Sequence, residues 1–119
     1  MTLARLHLVV LRVADLERAA AFYRMVGFVF VRHAHGSGPE HYACEQGGMV
    51  FELYPATPEQ PVTPSTRVGF IVAKVDDVVI SAAAIEGAKV ISAAKDSEWG
   101  RRAVLADPDG HRVEIVEER

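Results

Sequence analysis

Apolar and polar positions along this chain mostly alternate in short runs, and twice the spacing changes to that of a helix. The first change starts at Asp15, a residue suited to an N-cap, and runs through Leu16, Ala19, Ala20 and Tyr23, which share one helical face, to a stop at Gly27. The second runs from Asp76 to Glu86 and is closed by Gly87. Each helix is preceded by an apolar strand-like run and followed by three more. In the first half these are FVFVRHAH (28–35), EHYACEQ (40–46) and GMVFELY (48–54); in the second, AKVISAAK (88–95), RRAVLAD (101–107) and HRVEIVE (111–117). Glycine- and proline-containing turns, GSGP, GG and DPDG, separate them.

Laid against itself, the chain repeats. Val13 falls over Val72, Ala14 over Ala73, Leu16 over Val75 and Glu17 over Asp76, so each half reads strand, helix, strand, strand, strand. Residues 55–66 carry Pro55, Pro58, Pro61 and Pro64 without periodicity and are expected to link the repeats. The expected organisation is one domain of two modules, 5–54 and 67–117. A unit this short buries its sheet poorly alone, which predicts packing of the two modules, and of two chains.

Composition narrows the function classes. The chain has 119 residues, half of them hydrophobic, and a net charge of −3 with no basic run, which argues against nucleic-acid and membrane-surface partners. A lone cysteine, Cys44, excludes an intrachain disulfide framework and a cysteine zinc cluster. With no signal-peptide pattern and no run of membrane-spanning length, a cytoplasmic location is expected.

The patterns VLRVADLERAAAFY in the first half and WG…DPDGHRVEI in the second resemble the vicinal oxygen chelate superfamily, which includes glyoxalase I, extradiol dioxygenases and bleomycin-resistance proteins. The resemblance spans nearly the whole chain. It implies an α+β fold of two βαβββ modules curled into a half-barrel cleft, commonly completed by homodimerisation. It also implies, in metal-dependent members, a ligand on the first strand of each module and a glutamate on the last. Glu52 and Glu114 occupy the equivalent glutamate positions, but the first-strand positions fall on Leu8 and Arg67, neither a metal ligand. His7 lies one residue off and should point away from the cleft unless a bulge or register slip turns it inward.

No metal is therefore expected; a divalent ion on Glu52, Glu114 and His7 is the alternative. An inward carboxylate needs a compensating partner, and Arg67 stands where one is missing. Either it plugs the site as a structural ion pair, or with Arg12 or Arg101 it presents donors to an anionic ligand. Tyr54 shares the inward face with Glu52. Trp99 either covers the ligand or packs in the core. His33, His35 and His41 meet on one hairpin face if the loop is Gly36 to Gly38, and could then hold zinc, nickel or copper; a four-residue loop would turn His41 away. The expected function is metal-free binding of an aromatic or anionic small molecule by a homodimer, with ligand contacts from Arg12, Tyr54, Arg67, Trp99 and Arg101. The alternatives are a metal-dependent glyoxalase-like lyase or isomerase, a dioxygenase, and an interaction domain with a vestigial cleft.

Overall fold

A computed structural model describes residues 2–34 and 36–119. The first module comprises β1 (Leu8–Val13), α1 (Leu16–Val26), β2 (Val31–His33), β3 (His41–Gln46) and β4 (Met49–Pro55). The second comprises β5 (Arg67–Val72), α2 (Val75–Ala82), β6 (Lys89–Ser97), β7 (Gly100–Ala106) and β8 (Arg112–Glu117). Each forms a four-stranded sheet, ordered β1-β4-β3-β2 and β5-β8-β7-β6, with the first strand parallel to the last and the other pairs antiparallel. The fold is α+β, and the sheets do not close into a barrel.

Alternation decides which face each strand buries. Leu11, Val13, Phe51 and Leu53 turn toward the helices and are buried, while Leu8 stays 48% exposed on the opposite face. Helix α1 forms where its signals place it. The Asp15 carboxylate accepts the Arg18 N–H at 3.0 Å, and Gly27 takes a φ of 132°, which ends the helix. Its inner face buries Ala19, Ala20, Phe22, Tyr23 and Val26.

Helix α2 departs from expectation. It starts after Lys74 and ends at Ala82, and residues up to Ala88 continue as i→i+3 turns, so Gly87 closes a loosened segment and not the helix itself. Strand β2 is also shorter than its apolar run, because Phe28 and Phe30 turn into an aromatic cluster instead of extending the pairing.

Besides the packing of α1 against α2, two contacts join the modules among the described residues. Tyr23, Phe28 and Phe51 of the first surround Phe70 of the second, with centroids 6.3, 4.6 and 5.6 Å from it. The second contact is the turn at 107–110. Asp107 receives the Tyr23 hydroxyl at 2.7 Å and faces His111 Nδ1 at 2.7 Å, while His111 Nε2 meets the Thr63 carbonyl at 2.9 Å. Asp109 accepts the Ala14 N–H at 3.1 Å. DPDGH is thus a turn that locks the second module onto α1 and the linker.

Candidate functional site

The sheet faces turned away from the helices carry the polar groups that packing does not use. Register places the two glutamates equivalently: Glu52 opposes Val10 across β1–β4, and Glu114 opposes Gly69 across β5–β8. Their partners differ. Glu114 is clamped by two guanidiniums, Arg67 at 3.3 Å on one carboxylate oxygen and Arg102 on the other. Glu52 faces His41 Nε2 at 3.6 Å, and the His41 ring stacks on Tyr54 with centroids 4.2 Å apart. Register makes this a row across the whole first sheet, with His33, His41, Tyr54 and Arg12 on successive strands. The Arg12 guanidinium lies 4.8 Å from the Tyr54 centroid.

Of the residues expected to meet a ligand, Arg12 and Tyr54 lie on the first sheet's open face and Arg67 on the second's. Trp99, in the turn between β6 and β7, is 63% exposed, so it does not pack in the core. It borders a recess of about 300 Å³ with Gly69, Ile71, Arg102, Glu114 and Val116. Arg101 stands apart from this group. Strand alternation turns it to the helix side, where Asp76 and Asp96 hold it at 3.1 Å and raise its pKa by hydrogen bonding. Arg102 takes the place intended for it. The alternation of β7 hides this in the sequence, because Ala103, Val104, Leu105 and Ala106 are all buried and neither face reads as open. The sequence offers His41 only as a member of the hairpin cluster; stacked on Tyr54, it stands beside Glu52. His33 and His41 do pair across β2–β3, while His35 lies outside the described residues.

A metal fits poorly at the position implied by the family resemblance. Leu8 and Arg67 supply no ligand atom, and both Glu114 oxygens are engaged by guanidiniums. His7 precedes β1 and lies one residue out of phase with Leu8. Asp107, Asp109 and His111 bring ligand atoms within 4.8 Å of one another. Both His111 nitrogens and both Asp107 oxygens there are already engaged in the inter-module lock.

A larger groove, about 980 Å³, runs between the modules, walled by Leu6, Val9, Phe28, Val50 and Phe70 and bordered by Arg67. Among the described residues, no helix is long and apolar enough to cross a membrane.

The fold has counterparts among solved structures. A hypothetical protein from S. aureus is 20% identical with a TM-score of 0.74, covering 99% of this chain and 95% of its own. TnmS3, an antibiotic binding protein from Streptomyces sp. CB03234, is 25% identical with a TM-score of 0.72, covering 100% and 99%. A glyoxalase/bleomycin resistance protein from the same organism is 26% identical with a TM-score of 0.70, covering 95% and 100%. No curated protein matches the chain. The family model for the Glyoxalase/Bleomycin resistance protein/Dioxygenase superfamily matches residues 5–115, which takes in the repeated modules, both equivalent glutamates and the DPDGH turn. The chain belongs to that superfamily.

Proposed function

We propose that this protein binds small aromatic or anionic molecules on the open faces of its sheets, as a homodimer and without a catalytic metal. The observation that carries the reading is the clamp on Glu114. Where a metal-dependent relative would set a divalent cation, two guanidiniums neutralise the carboxylate and keep further N–H donors for a ligand. Around them the face offers apolar surface with a few convergent polar groups, the usual make-up of a small-molecule site. That TnmS3 is an antibiotic binding protein supports a binding role on this fold.

A second copy has a place to go. Among the described residues, strands β1 and β5 are each paired on one side only, and Leu8 and the 71%-exposed Ile71 lie on them. The lone Cys44 supports a cytoplasmic location.

Metal analysis of protein purified without added metal or affinity tag, with light scattering on the same sample, tests the reading. We expect dimers without stoichiometric metal, and divalent-metal affinity only after the double substitution Leu8→His and Arg67→His. One nickel, zinc or iron per site in the wild type would replace this reading with that of a lyase, isomerase or dioxygenase.

A further inference from the structure

Gly69 sits in the middle of β5 for no reason its backbone supplies. Its φ is not in the left-handed region, and a Cβ built on it would meet nothing nearer than the Glu114 carbonyl oxygen, at 3.9 Å. A glycine inside a strand costs conformational entropy and forgoes packing, so an uncrowded one is informative about what lies beside it. What lies beside it is the recess of about 300 Å³. That volume is at the small end of small-molecule sites, which run from about 300 to 1,000 Å³.

The walls of this recess differ in chemistry. Trp99 borders it on one side, and its hairpin is fixed: Ser97 Oγ accepts the Trp99 N–H at 3.2 Å and donates to the Gly100 carbonyl at 2.6 Å. Arg119 donates to the Glu98 carbonyl at 2.8 Å, holding the same turn from the chain's end. Ile71 and Val116 supply apolar surface, and Arg102 and Glu114 supply charge. Counting Arg67, the clamp carries two guanidiniums against one carboxylate, and Lys95, the register partner of Arg102, adds a further cation on the same face, so the recess is net positive.

Resting on the binding function proposed above, we infer that this recess is the seat of a planar aromatic carboxylate, its ring over Gly69 beside Trp99 and its carboxyl group on Arg102. Gly69 sets the size of ring admitted, because any side chain there occupies the ring's place. Arg102 sets the charge. A neutral ligand of the same shape leaves that guanidinium's remaining donors without a partner.

Trp99 is the only tryptophan, so its fluorescence reports on the recess directly. The probes are 4-nitrobenzoate, a flat nitroaromatic quencher, and its uncharged counterpart 4-nitrobenzyl alcohol. We expect saturable quenching by the carboxylate, with binding of the alcohol weaker by about tenfold or more. Gly69→Val should weaken carboxylate binding by a similar factor without lowering the melting temperature, since valine suits a strand and meets no crowding here. Arg102→Gln should abolish the preference for carboxylate over alcohol. Equal affinity of wild type and Gly69→Val for 4-nitrobenzoate overturns the inference, as does an absence of saturable binding to the wild type at millimolar concentration. Metal content is measured separately, so a metal-free protein indifferent to Gly69→Val would keep the proposed function and lose this seat.

Discussion

Two glutamates at equivalent positions of a repeat have acquired unlike surroundings. Glu114 has two cations and Glu52 has an imidazole. Because the Arg67 side chain is 54% exposed, its contact with Glu114 is screened by water and contributes about 1 kcal/mol at most. A fully buried pair, by contrast, loses about 3 kcal/mol or more when one partner is removed. Arg102 is less exposed and compensates the same carboxylate. Each arginine therefore covers for the other. Arg67→Ala and Arg102→Ala should each be mild, while the double variant should lose more than their sum in urea denaturation, a coupling of about 0.5 kcal/mol or more. Additive losses would mean that the two cations act independently on Glu114. The sequence made Glu114 and Arg67 legible, since repeat symmetry points to both. It left Arg102 and the role of His41 obscure. Cross-strand register, which sets both, depends on where each hairpin turns, and the buried run from Ala103 to Ala106 erases the alternation that would have separated Arg101 from Arg102.

At the scale of elements, the two helices show what a local pattern does and does not carry. Helix α1 contains its own start and stop signals, so reading the sequence places its ends. Helix α2 does not. Its N-cap, Lys74, makes no side-chain cap, and the Val75 N–H is instead satisfied by the Glu117 carboxylate at 3.0 Å, from β8. That acceptor lies far along the chain and is invisible to a search for local caps. It also brings a negative charge to the positive end of the helix dipole. Glu117→Ala should therefore destabilise the protein by about 1 kcal/mol, comparable to Asp15→Ala at α1, even though only Asp15 looks like a cap. Urea denaturation of the two variants provides the comparison. A negligible loss for Glu117→Ala would show that water satisfies the α2 terminus equally well.

At the scale of the whole molecule, the fold class was legible because the repeat imposes one pattern twice, while the docking of the halves was not, since it depends on contacts between distant segments. The DPDGH motif is the hairpin turn its sequence announces and also the lock between modules. Both His111 nitrogens face acceptors, the Asp107 carboxylate and the Thr63 carbonyl, so only the imidazolium can donate to both. Burial opposes that cation. The Asp107 hydrogen bond and charge, with the Thr63 carbonyl, outweigh burial and raise the His111 pKa above its ordinary value. A group whose folded pKa is raised contributes its full stabilisation below the unfolded value, about 6.5 for histidine, and loses it as pH rises through the folded pKa. The loss acts where Tyr23, Asp109 and Thr63 bind the second module to the first, so it weakens the joint between halves and not one strand alone. The free energy of unfolding in urea, followed from about pH 6 to pH 9, should fall more steeply in the wild type than in His111→Asn, which has no proton to lose. Tyr23→Phe should lower stability by about 1 kcal/mol or more, having left an Asp107 oxygen with one donor fewer, while keeping the wild-type slope. If His111→Asn retains that slope as well, the pH dependence originates elsewhere and the lock does not hold a charged histidine.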